Sequence, residues 1–216
     1  DYAGGKAIGT GSGGASWAGF DFPGPAITSI QADFRWDFSE VHTPTLAIYA
    51  WDDTGNDGFQ NGDRTIGFGL DNDGQFELSN TTGELAGTTN FSANTWYRLT
   101  MTWGDVDGSG NRLVSITGFD LTNRNDLGVV ASASMSASDF GVNPADCDGI
   151  AVRMTRGSID NIQTTSESGA AYTYVDATPA NTALNTDPVG TPAGVPLVPG
   201  SNYIDDGSSG SGSDNL

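Results

Sequence analysis

Apolar side chains recur at every second position along several stretches of this chain, and that period limits what it can fold into. From Gln31 to Phe38, Ala32, Phe34, Trp36 and Phe38 fall on one side of an extended backbone. Gln31, Asp33, Arg35 and Asp37 fall on the other. Leu46, Ile48 and Ala50 oppose Ala47, Tyr49 and Trp51. Ile66, Phe68 and Leu70 alternate with Thr65, Gly67 and Gly69. Tyr97, Leu99, Met101 and Trp103 alternate with Trp96, Arg98, Thr100 and Thr102, and the same rhythm runs through 75–78, 113–119 and 150–155. Strands with one apolar and one polar face belong to antiparallel sheets that bury a single side. No segment carries a capped apolar stripe of helical period.

The connections agree with that reading. Asp71-Asn72-Asp73-Gly74 separates two strand patterns, and the segment from Asp105 to Asn111 separates two more. Both are rich in residues that tolerate positive φ. The acids are 23 Asp and four Glu, the bases seven Arg and one Lys, and there are 31 Gly. Asp favours turns and caps where Glu and Lys would fill helix surfaces, so the composition also describes strands and loops. The fold class predicted is all-β, an antiparallel two-sheet sandwich of jelly-roll type.

Composition changes near residue 165. From Thr165 to Leu216 there are six acids and no base, and five of the nine prolines lie between Pro179 and Pro199. The stretch 207–213 has the Gly/Ser composition of a linker. Residues 1–164 therefore read as the β-sandwich. Residues 165–216 read as an acidic, irregular Pro/Gly/Ser-rich extension, either a tail or the opening of another module. Within it, 172–175 has the pattern of a strand for its own sheet or a neighbour's edge.

The chain carries 27 acidic against 8 basic side chains, a formal charge of −19. Such a field repels phosphate backbones and anionic lipid, which argues against nucleic-acid partners. No apolar run approaches the ~18 residues of a membrane-spanning helix, so membrane insertion is not expected. The one cysteine, Cys147, sits between Asp146 and Asp148, where carboxylates raise a thiol pKa and disfavour a nucleophile.

Two segments carry a family resemblance. Asn94-Thr95-Trp96-Tyr97-Arg98-Leu99-Thr100-Met101-Thr102-Trp103 resembles the tryptophan-led strand of laminin-G-like and concanavalin-A-like sandwich domains. Gly157-Ser158-Ile159-Asp160-Asn161-Ile162 resembles the Gly-x-Ile-Asp strand that closes those domains. The hairpin through 105–116 lies between them, where that superfamily usually has one. The resemblance implies a module found outside the cell or at its surface, often calcium-bearing, that binds glycans or proteins. It also implies a metal ligand at Asp160, because the family's Ile-Asp strand end often lies near its metal site. Some members are glycan hydrolases or lyases.

Catalysis finds little support in the residues. A retaining glycosidase needs two carboxyl groups ~5–5.5 Å apart. The four glutamates, Glu40, Glu77, Glu84 and Glu167, are scattered, and Asp33 and Asp37, four apart on one strand, stand ~13 Å apart. Arg35 between them favours ionised carboxylates over a general acid. The single histidine, His42, reads as a surface loop residue. No catalytic residue is assigned.

Oxygen ligands for a hard cation are plentiful. Asp105-Val106-Asp107-Gly108-Ser109-Gly110-Asn111 spaces Asp105, Asp107 and Ser109 as calcium loops do, though no acid stands at the twelfth position. The 52–63 loop packs Asp52, Asp53, Asp57 and Asp63 into twelve residues, a cluster that repels itself unless a cation or solvent screens it. Calcium is the expected cofactor. For a glycan, Tyr49 and Trp51 share one strand face and Trp96 and Arg98 another, while Arg35 and Arg98 lie on polar faces. Ligand binding is therefore expected at Tyr49, Trp51, Arg35 and Arg98.

Taken together, these readings predict a calcium-stabilised, non-catalytic recognition or adhesion module, extracellular or at the cell surface, with carbohydrate as its first partner. The alternative is a structural subunit of a surface layer or filament, with the tail contacting neighbouring copies. A polysaccharide hydrolase or lyase ranks third.

Overall fold

The computed structural model describes residues 8–10, 16–21, 27–36, 46–51, 64–71, 73–80, 83–136, 147, 149–154, 157–166, 171–174 and 188–189. Among them the regular elements are all strands: β1 Ile8–Thr10, β2 Ser16–Asp21, β3 Ile27–Arg35, β4 Leu46–Trp51, β5 Arg64–Leu70, β6 Phe76–Asn80 and β7 Gly83–Ala86. β8 Trp96–Trp103, β9 Asn111–Asp120, β10 Asn125–Ser136, β11 Gly149–Met154, β12 Gly157–Ser166, β13 Ala171–Tyr174 and β14 Pro188–Val189 follow. The described residues include no helix long and apolar enough to cross a membrane.

The strands form two antiparallel sheets. One runs β10-β9-β8-β3-β12-β13-β14, with β1 also paired to β12; the other runs β2-β11-β4-β5-β6-β7. Chain order and sheet order differ, because β3 inserts between β8 and β12 in one sheet and β11 between β2 and β4 in the other. The pairing of β13 and β14 carries the larger sheet past residue 164, where the sequence changes composition.

The apolar face of each alternating strand meets its counterpart across the sandwich. Ile30, Ala32, Phe34, Leu99 and Met101 of one sheet pack with Ile48, Ile66, Phe68 and Leu78 of the other, all without exposed surface. Phe34 meets Phe68 edge to face at 5.5 Å, which ties β3 to β5. Phe76 of β6 meets Tyr97 of β8 at 5.1 Å in the same manner. Each fully buried side chain of this size stabilises the fold by about 1.5–3 kcal/mol relative to exposure. The buried Tyr97 keeps its hydroxyl partnered by accepting the Ser92 N–H at 2.9 Å.

Backbone geometry explains the closing-strand motif. Gly157 takes φ 135, and a Cβ there would stand 2.5 Å from the Arg35 carbonyl. Asn161 takes φ 51 at the bulge where β12 slips against β3. Glycine and asparagine tolerate these conformations.

Candidate functional site

The outward faces of the two sheets differ. On the eight-stranded sheet, register aligns Gln163, Gln31, Thr100, Thr117 and Val129 in one cross-strand row. The adjacent row reads Asp160, Asp33, Arg98 and Phe119, and the next Ser158, Arg35 and Trp96. Gln31 donates its amide to Gln163 Oε1 at 3.2 Å and accepts the Thr100 hydroxyl at 3.3 Å. Gln31, Thr100 and Gln163 are all half-buried, so this relay lies at the surface.

Asp33 has no exposed surface, yet it sits on this polar face. Arg98 donates Nε to Oδ1 at 2.7 Å and Nη2 to Oδ2 at 2.8 Å, and Asn161 Nδ2 donates to Oδ2 at 2.7 Å. Three charge-assisted bonds balance the desolvation of the carboxylate. Asp33 is thus a structural anchor; Asp37 and His42 lie outside the described residues.

The structure gives several expected site residues other work. Arg98 is bound to Asp33. The Arg35 guanidinium lies 5.3 Å from the centre of the Trp96 ring, a cation–π contact that leaves Trp96 only 6% exposed. Tyr49 is not the open aromatic platform expected of it. It is 4% exposed, and its ring lies where a side chain on Gly67 would stand. Trp51 ends β4 opposite Arg64 and Gly149.

The expected metal ligands also separate. Asp107 Oδ1 accepts the Ser109 and Asn111 N–H groups at 2.8 and 2.9 Å, so it folds the β8–β9 turn. Those backbone donors hold its carboxyl below the usual carboxylate range. Asp105 is exposed beside it. Asp160 Oδ1 accepts the Asn161 N–H at 2.8 Å at the bulge. Asp52, Asp53, Asp57 and Asp63 lie outside the described residues.

Among the described residues, a different acidic group comes together at the β5–β6–β7 corner. One carboxylate oxygen each from Asp71, Asp73 and Glu84 lies within 4.8 Å of the other two. Asp71 follows β5 and receives its position from its N–H bond to the Gln75 carbonyl at 2.9 Å. Asp73 Oδ1 accepts the Gln75 N–H at 2.9 Å within the turn. Glu84 pairs in register with Ser79, and its carboxyl occupies the space that a side chain on Gly87 would fill. Burial, then Asp73 and Asp71, push its pKa up.

Beside this trio lies Glu77, only 6% exposed, whose Oε2 has no hydrogen-bond partner. Its register neighbour is Gly69, and Gly69 in turn opposes Ala47, which opposes Arg153. Burial raises the Glu77 pKa to about 7, with Asp71 and Glu84 adding to the rise while Ser79 and Arg153 oppose it. Gln75 Oε1 is likewise buried without a partner. Residues 71–74 have turn composition and the glutamates are scattered along the chain; the pairing of β7 with β6 brings Glu84 to that turn.

No protein-family model matches this chain, and no curated protein matches it. Solved structures similar to it include the native heptameric SAP-like pentraxin from Limulus polyphemus, at 16% identity and TM-score 0.41 over 73% of each chain. Peanut lectin with a bound 9mer peptide aligns at 8% identity and TM-score 0.38, over 76% of this chain and 78% of that one. Scytalido-glutamic peptidase with a peptide-based transition state analog aligns at 10% identity and TM-score 0.39, over 79% and 82%.

Proposed function

We propose that this chain is a non-catalytic recognition module that binds carbohydrate on the outward face of its eight-stranded sheet, at the cell surface or outside the cell. The observation that carries this reading is the surface relay Gln163–Gln31–Thr100 beside the Arg98–Asp33 pair. Amides and hydroxyls both donate and accept, as sugar hydroxyls do, and a sheet holds them at fixed spacing. The adjacent Arg98 and Asp33 neutralise each other, which suits an uncharged polyol better than a polyanion. Calcium belongs to this reading as a stabilising ion, because the acidic side chains offer only oxygen ligands. Glycan-array binding tests it: retention of at least one glycan, weakened by Gln31→Ala and Gln163→Ala, is expected. An array with no retained glycan refutes it.

A second reading, a structural subunit, is favoured by a separate feature. β10 ends the larger sheet among the described strands; its Val129 is 60% exposed, and Leu113 and Phe119 of the adjacent β9 are 61% and 37% exposed on the same face. Exposed apolar side chains at the edge of the described sheet suit sheet-to-sheet assembly. Sedimentation tests it: Val129→Lys should lower the association state, and a protein monomeric at high concentration would exclude the reading.

A further inference from the structure

From the corner geometry we infer a calcium site formed by Asp71, Asp73 and Glu84 at the β5–β6–β7 corner and closed from the sheet face by Gln75 and Glu77. It lies in none of the loops whose sequence spacing suggests calcium, and it stands independently of what the eight-stranded face binds.

Three observations converge on the corner. The first is the carboxylate trio itself, with ligand atoms mutually within 4.8 Å. Calcium takes oxygen ligands at about 2.4 Å, so three oxygens this close together can share one ion.

The second is side-chain direction. Along β5 the outward positions are Gly67, Gly69 and then Asp71; along β6 they are Gln75, Glu77 and Ser79. Ser79 pairs with Glu84 across β6–β7. Asp71, Gln75, Glu77 and Glu84 therefore rise from one face of three adjacent strands.

The third is the pair of buried oxygens without partners, Glu77 Oε2 and Gln75 Oε1, on that same face. A buried acceptor left unbonded costs about 1–3 kcal/mol. A cation satisfies both acceptors and offsets the repulsion among Glu77, Asp71 and Glu84. Asp71, Asp73, Glu84, Gln75 and Glu77 supply five oxygens, and water completes the six to eight that calcium takes. Gly87 fits the same account, because any side chain there would displace the Glu84 carboxyl.

The test is calorimetric titration of the full chain, freed of metal by chelator, with calcium chloride. Binding with a dissociation constant below about 1 mM is expected, the range of extracellular modules. Asp73→Asn, at an exposed turn position that need not disturb the fold, should weaken it about tenfold or more. Asp71→Asn and Glu77→Gln should do the same, with folding of each variant verified by circular dichroism. Asp107→Asn should leave the affinity unchanged. No heat of binding up to about 10 mM calcium would overturn the inference. So would full affinity in the folded Asp71→Asn and Asp73→Asn variants. Neither outcome bears on glycan binding, which is measured separately.

Discussion

Arg98 closes on Asp33 through two parallel hydrogen bonds, Nε to Oδ1 at 2.7 Å and Nη2 to Oδ2 at 2.8 Å. The carboxylate has no exposed surface, while the guanidinium side chain is 38% exposed. The pair joins β3 to β8 directly across the register. Removing Arg98 leaves a buried carboxylate with Asn161 as its remaining donor. Arg98→Ala should therefore destabilise the protein by about 3 kcal/mol, the low end for a broken buried pair because solvent reaches the arginine. Arg98→Lys keeps the charge but loses the fork, and should cost about 1.5 kcal/mol. Urea denaturation of these two variants, of Asp33→Ala and of the Arg98→Ala/Asp33→Ala double variant measures this. Additive losses in the double variant would mean that the pair is not coupled.

Gly67 and Gly69 are neighbours on one strand face, but their surroundings differ. A side chain on Gly67 would meet the Tyr49 ring, which can swing aside. A side chain on Gly69 would meet the backbone of Leu46 and Ala47, which cannot move without breaking the β4–β5 ladder. Gly69→Ala should cost more than about 3 kcal/mol and Gly67→Ala about 1–2 kcal/mol. Thermal unfolding of both variants gives the order, and equal losses would contradict it.

Glu77 makes metal-free stability depend on pH. Its carboxyl titrates near 4.5 when unfolded and at about 7 in the fold. Between those values the folded chain holds a proton that the unfolded chain has released. Stability is therefore fully present below pH 4.5, falls as pH rises to 7 and is level above it, by about 3 kcal/mol in all. Glu77→Gln should flatten this stretch of the profile and stabilise the metal-free protein at pH 8. Urea midpoints at pH 5 and pH 8 in chelator measure the slope; the same slope in wild type and variant would assign it elsewhere.

Much of the sandwich was legible because burial on one face writes period two into a strand. β3, β4, β5, β8, β9 and β11 all fall where Phe34, Ile48, Phe68, Leu99, Ile116 and Val152 alternate with other residues. β10 was not legible. Its Ala131, Ala133, Ser132 and Ser134 give little contrast between faces, and it bulges twice against β9. The candidate site was less legible than the fold. Arg35 and Arg98 stand on the polar face the alternation predicts, but Tyr49, on an equally outward position, is covered because Gly67 lets its ring lie down. The acidic corner was invisible for another reason. Whether Glu84 meets Asp71 depends on the register of β7 on β6, a non-local pairing that no local spacing encodes.

The recognition reading stands or falls on glycan binding by the calcium-loaded chain. On an array of neutral and acidic polysaccharides, at least one neutral glycan should be retained. Gln31→Ala with Gln163→Ala should weaken that retention about tenfold, as the loss of two hydrogen-bonding side chains implies, while unfolding as wild type does. A folded, calcium-loaded protein that retains no glycan, or whose retention is unchanged by the double substitution, would contradict the account.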